Sequence, residues 1–229
     1  MMNFVLVHGG YAGVDSFGDV PNLLRSEGHE VLAATLPGLG TRQGELHPAI
    51  TLSDHIDAVC EQIETAGFDR FILVAHSYGG IVAAGVAGRL GPCMDAICYI
   101  DAFLPEDGQC LWDFFSDDER NWYIQNQKHK PGLVDPIGAE NFQVVPDVIG
   151  YQPLLTFTEA VSLSGNEQLI PRKAYVFASG WKRTPFCGSA EKAKAAGWAY
   201  HEIDSNHFVM ENQPRWTTDI LLALAKPLA

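Results

Sequence analysis

The run Phe71-Ile72-Leu73-Val74 passes without a break into Ala75-His76-Ser77-Tyr78-Gly79-Gly80 and then into Ile81-Val82-Ala83-Ala84, and no other stretch constrains the chain as much. The β-branched apolar run predicts a buried strand, the small residues a sharp turn, and the alanine-rich run a helix. A serine at the apex of such a strand–turn–helix junction is pushed out of the backbone with its hydroxyl exposed, the arrangement called a nucleophile elbow. The turn is so tight that the positions two before and two after the serine must be small. Ala75 and Gly79 meet that condition, and Ala75 departs from the common G-x-S-x-G pattern by a single methyl group. Ser77 is therefore the candidate nucleophile. The plain alternative is a strand and a glycine-rich helix start that happen to contain a serine.

Two distant segments supply what a nucleophilic serine needs. Near the start, Phe4-Val5-Leu6-Val7 reads as a buried strand and runs into His8-Gly9-Gly10-Tyr11-Ala12-Gly13. Acyl transfer develops negative charge on the carbonyl oxygen, and preorganised backbone N–H groups aimed at it contribute about 3–4 kcal/mol each. The expected donors are the amides of Gly10 and Tyr78, with Gly9 and Gly10 letting the backbone approach a ligand closely. Near the end of the chain, one of the eight histidines stands on a suitable loop. His8 and His76 flank the glycine motifs, His29, His47 and His55 precede the serine, His129 lies in a polar stretch, and His201 falls inside a strand-like run. His207 follows that run in the turn-rich Asp204-Ser205-Asn206-His207-Phe208, as the chain order serine, acid, histidine requires. It is the candidate base.

With these segments in view, the chain resembles the α/β-hydrolase fold superfamily, in the branch of plant methyl esterases, hydroxynitrile lyases and small bacterial esterases. The resemblance is carried by Phe4-Val5-Leu6-Val7-His8-Gly9-Gly10, the elbow at 75–80 and the segment Tyr99-Ile100-Asp101-Ala102-Phe103-Leu104-Pro105-Glu106-Asp107-Gly108-Gln109. It covers most of residues 3–110 and the last strand, loop and helix. In most members the acid follows the strand after the cap, here Lys173-Ala174-Tyr175-Val176-Phe177-Ala178, but the next residues, Ser179-Gly180-Trp181-Lys182-Arg183-Thr184-Pro185, hold no carboxylate. Some hydrolases of this fold place the acid at the end of the preceding core strand, which makes Asp101 the expected partner of the imidazole. Asp204 is the alternative. Hydroxynitrile lyases of the branch typically carry Thr where this chain has Gly9, and Lys after the histidine where it has Phe208.

The pattern along the chain fits the same architecture. Helices are predicted over about residues 16–27 and 52–64, with Thr51 and Asp54 as a capping pair, and a strand over 30–34. Strands alternating with helices predict right-handed crossovers and a mainly parallel central sheet flanked by helices. The expected organisation is one domain, residues 1–229, with a core at 1–104 and 172–229 and a small, mostly helical cap at 105–171. That insertion carries Trp112, Phe114, Phe115, Trp122, Tyr123, Phe142, Tyr151 and Phe157, interrupted by Pro131, Pro136, Pro146 and Pro153. Gly9, Tyr11, Phe103, Trp112 and Phe208 are the expected substrate-binding residues, and the cap aromatics as a group are divided between lining the pocket and packing cap on core.

Composition narrows the partners. At 229 residues the chain buries roughly 70–75% of its extended surface in one core. A net charge of −13 argues against nucleic acid, which calls for a basic patch, and against anionic lipid. No apolar run reaches the roughly 20 residues that span a bilayer, and the first strand starts at once, so a cytoplasmic location is expected. Five cysteines without C-x-x-C spacing imply neither a disulfide framework nor a zinc site, and Cys60 and Cys98 read as small core residues. No metal or organic cofactor is expected. The expectation is a serine hydrolase acting through an acyl-enzyme on a small, neutral, aromatic or apolar carboxylic ester or methyl carbamate ester. A ligand-binding protein on a hydrolase scaffold and a hydroxynitrile lyase are the alternatives, and a homodimer is left open.

Overall fold

The computed structural model describes residues 1–136, 150–181 and 184–226, so Phe142, Pro146, Lys182 and Arg183 lie outside the described residues. The chain alternates strand and helix: β1 (Asn3–Val7), α1 (Val20–Ser26), β2 (Glu30–Ala34), α2 (Leu52–Thr65), β3 (Phe71–Ser77), α3 (Gly79–Leu90) and β4 (Met94–Ala102). The insertion then contributes α4 (Asp117–Asn126), the short strands β5 (Leu133–Val134) and β6 (Gln152–Pro153), and α5 (Leu155–Thr158). The core resumes with β7 (Lys173–Ala178), α6 (Cys187–Ala195), β8 (Ala199–Ile203), α7 (Val209–Asn212) and α8 (Pro214–Leu224).

Six of these strands form one parallel sheet in the order β2-β1-β3-β4-β7-β8. The chain leaves β1 toward β2 and returns on the other side at β3, so the winding reverses between β1 and β3. Loops at the carboxyl ends of the strands diverge at such a reversal and leave a crevice, the usual ligand position in an open α/β sheet. Side-chain alternation covers both faces of the sheet. Val5, Val7, Leu73 and Ile97 pack with α2 and α3 on one side, while Phe4, Leu6, Ile72 and Cys98 pack with α1 and α8 on the other.

Two local expectations are corrected. The helix expected over 16–27 is two pieces, a 3-10 turn at Val14–Phe17 and then α1, because Gly18 takes φ +52° and the chain needs Pro21 in a first turn. Within the insertion β5 and β6 pair as a short antiparallel ribbon beside the helices. Cys98 is buried but Cys60 is only partly so. The capping box at Thr51 and Asp54 forms as read. No helix among the described residues is long and apolar enough to cross a membrane.

Candidate active site

The elbow is built by close backbone contact. Ser77 ends β3 with φ +56°, and a Cβ at Gly79 would stand 2.6 Å from the carbonyl oxygens of Val7 and His8. That contact is why the position must be glycine. Gly9 passes equally close on the β1 side, where an added Cβ would lie 2.9 Å from Ser77 Cβ. A threonine at position 9, as in the lyases of the branch, has no room here. Gly10 and Tyr78 are neighbours across the loop, a Cβ on Gly10 falling 3.5 Å from Tyr78 Cβ.

Asp101 reaches the site through a break in register. His76 pairs with Ile100 and Ser77 with Ala102, which leaves Asp101 as the extra residue of a β-bulge at φ +41°. Bulges re-aim a side chain, and aspartate tolerates the left-handed region better than most residues. The buried carboxylate receives three donors. His207 Nδ1 lies 2.7 Å from Oδ2, the Trp181 indole N–H donates to Oδ2 at 3.1 Å, and the Ala178 N–H donates to Oδ1 at 3.2 Å. Asp204 is exposed, its Oδ1 beside the backbone of Gly180. Of the two carboxylates considered for His207, Asp101 is the one that meets it.

His207 is 5% exposed, stacked on Phe186 at 5.0 Å and flanked by Trp181 and His76. Burial disfavours its charged form and lowers its pKa below the ordinary 6.5. Burial likewise raises the Asp101 carboxyl, against which the Ala178 and Trp181 donors work. The His76 ring, directly before Ser77, donates through Nε2 to the His207 carbonyl at 3.0 Å and so ties the histidine loop to the elbow.

Ser77, His207 and the two expected amide carriers line one cavity of about 680 Å³ counted to its open mouth. Gly9, Tyr11, Phe103 and Phe208 line it as well. Trp112 does not. Its ring packs behind the wall against Phe115 and Tyr123, and it is Leu111, Phe115, Tyr123, Pro136, Gln152 and Phe157 that face the cavity from the insertion. The Tyr11 and Tyr123 phenols meet at 3.3 Å within this mostly apolar lining.

Three residues at the site escape a reading of the sequence. Trp181 occupies the segment where a carboxylate is sought and instead donates its indole N–H to the Asp101 carboxylate. His55 is fully buried on α2, with Nε2 donating to the Pro37 carbonyl at 2.9 Å and Nδ1 accepting from the Tyr78 phenol at 2.8 Å. Its only sequence signal is a histidine on the apolar face of a helix. Gln152 lies on the short β6 and has no periodicity to mark it.

Comparison with known proteins agrees with this geometry. The model of the alpha/beta hydrolase family matches residues 4–220. A carbendazim hydrolyzing esterase of Nocardioides sp. (strain SG-4G) is 34% identical over 98% of this chain and 100% of its own. Methylesterase 9 of Arabidopsis thaliana is 33% identical over 46% of this chain and 42% of its own. Among solved structures, an extracellular alpha/beta-hydrolase from a Paenibacillus species superposes with a TM-score of 0.83 at 20% identity, covering 98% of this chain and 99% of that one. An elbow serine, a buried imidazole–carboxylate pair and a parallel sheet that brings them to one edge are thus found in a chain that belongs to the alpha/beta hydrolase family.

Proposed function

We propose that the chain is a serine esterase that cleaves small, neutral esters, methyl carbamate esters included, through an acyl-enzyme. The carrying observation is the 2.7 Å contact between His207 Nδ1 and Asp101 Oδ2 at the wall of the cavity that Ser77 enters. A proton on Nδ1 held by the carboxylate leaves Nε2 as the basic nitrogen. Nε2 takes the Ser77 proton as Oγ attacks the carbonyl carbon, and returns it to the departing alkoxide as the C–O bond breaks. Water then repeats the cycle on the acyl-enzyme, giving the acid and regenerating Ser77. The oxyanion is held by Gly10 and Tyr78. The Tyr11 N–H is already given to Gln152 at 3.0 Å, which leaves the Gly10 amide as the donor of its loop.

Ester hydrolysis as the reaction class is supported by the nearly full-length likeness to an esterase. The neutral substrate is supported by a lining of aromatic and aliphatic side chains, which gains little from a charged acyl group and would cost its desolvation. The test is a panel of methyl and p-nitrophenyl esters of aromatic and aliphatic acids, methyl carbamates and carbendazim, alongside labelling by a fluorophosphonate probe. Turnover of neutral members and a probe adduct on Ser77 are expected. An unlabelled Ser77 together with no turnover on any member refutes the reading and favours a binding protein on this scaffold.

A further inference from the structure

We propose that residues 150–156 of the insertion brace the oxyanion-binding loop, with Gln152 as the positioning residue. The inference rests on the reading of Ser77 as nucleophile and of the Gly10 amide as an oxyanion donor. Tyr11, the next residue, sits at the centre of a three-residue turn, with Ala12 N–H donating to the Gly10 carbonyl at 2.7 Å and φ at +61°. A bulky residue persists there only when its surroundings over-determine the conformation. The insertion supplies that determination. Gln152 Oε1 accepts the Tyr11 N–H at 3.0 Å, and the Gly150 N–H donates to the Tyr11 carbonyl at 3.0 Å.

Gln152 is itself fixed. It is fully buried, and its Nε2 donates at 2.8 Å to Thr156 Oγ1, whose hydroxyl donates onward to the Pro153 carbonyl at 2.7 Å. A flipped carboxamide would set its NH₂ against the Tyr11 N–H, so one orientation alone satisfies both neighbours. Its Oε1 lies 2.5 Å from where a Cβ on Gly10 would be, so the carboxamide fills the gap that the absent side chain leaves. The Gly10 half of the proposed hole therefore rests on a buried polar chain that begins in the insertion.

Gln152 stands at the cavity wall but is fully buried, and its polar atoms and the Thr156 hydroxyl are spent on protein partners, so their effect on the reaction passes through the loop. Amides stabilise an oxyanion only at about 2.7–3.1 Å, and a loop released by about 1 Å forfeits that while the apolar wall still binds the ground state. The test compares Gln152→Leu, Thr156→Val and Thr156→Ser on a neutral ester, together with a trifluoromethyl ketone whose Ser77 adduct places an oxyanion in the hole. Gln152→Leu and Thr156→Val are expected to lower kcat about 10- to 100-fold with KM changed less than about threefold. Ketone affinity should fall by the same factor as kcat/KM, and Thr156→Ser, which keeps the hydroxyl, should stay within about threefold of the parent. Should Gln152→Leu fail to fold, the near-isosteric Thr156→Val against Thr156→Ser carries the same contrast. Unchanged kcat, or a loss of kcat with undiminished ketone affinity, overturns the brace. A parent protein that neither turns over esters nor labels at Ser77 overturns the esterase reading instead.

Discussion

Tyr11, Ser77 and Asp101 are the non-glycine residues with positive φ among the described residues, at +61°, +56° and +41°, and all three stand at the site. The left-handed conformation costs an L-residue roughly 1–2 kcal/mol, so the fold holds strain where it aims a loop, a hydroxyl and a carboxylate. This strain is measurable at Ser77. In ordinary positions glycine is less stable than alanine by about 0.5–1 kcal/mol, but at φ +56° the order should reverse. Ser77→Gly is expected to be more stable than Ser77→Ala by about 1 kcal/mol in urea denaturation, both variants being inactive. Equal stabilities, or alanine ahead, would mean that the elbow is unstrained. The pair behind the serine makes a second prediction. Asp101→Asn should lower kcat about 10³- to 10⁴-fold by favouring the wrong imidazole tautomer, while Asp204→Asn, altering an exposed side chain, stays close to the parent. A third concerns pH. Burial lowers the His207 pKa, so the free base persists below pH 6.5, and the acid limb of kcat/KM on a neutral ester should fall at lower pH than an unperturbed histidine gives. An inflection at or above 6.5 would contradict it.

At the scale of elements, what could be read in the sequence depended on whether a local rule governs it. Strands β1, β2, β3 and β7 follow from apolar runs, and α2 follows from helical spacing plus the reciprocal bonds of Thr51 and Asp54. Replacing Thr51 by Ala removes the acceptor for the Asp54 N–H and should cost about 1 kcal/mol, readable as a lowered urea midpoint with unchanged kcat. No change in the midpoint would show that the cap contributes nothing. The elbow is legible for the same reason, since one backbone turn dictates its small residues. Asp101 is legible as a carboxylate at a strand end, but its aim is not, because the bulge between β3 and β4 is a property of two strands paired in register. Gln152 and Trp181 lie further still from local signals. Each is defined by a partner more than seventy residues away, and nothing in the spacing around either announces that partner. Trp112 fails in the opposite sense. Its size suggests a pocket wall, yet the turn at Leu111–Phe114 gives the inward place to Leu111 and leaves the indole packed behind Phe115 and Tyr123.

Across the whole molecule, the site is surrounded by buried imidazoles that must stay neutral. His8 is fully buried, with Nδ1 donating to the Gly9 carbonyl at 2.8 Å and Nε2 receiving the Leu36 N–H at 3.4 Å. His55 uses one nitrogen as donor and the other as acceptor, and His76 donates through Nε2 while its Nδ1 is buried without a partner among the described residues. Burial lowers the pKa to about 4 for His8 and for His55, and well below 6.5 for His76. Between those values and 6.5 the unfolded chain binds protons that the folded one refuses, so the stability of the fold falls as pH falls. For His8 and His55 the loss at pH 5.5 is on the order of 1 kcal/mol each, with His76 and His207 acting in the same direction, against a total stability of about 5–15 kcal/mol. The Asp101 carboxyl, raised by burial, acts with the opposite sign. With four buried imidazoles against that one carboxyl, the melting temperature should be lower by several degrees at pH 5.5 than at pH 7.5. A melting temperature unchanged or raised at pH 5.5 would contradict this.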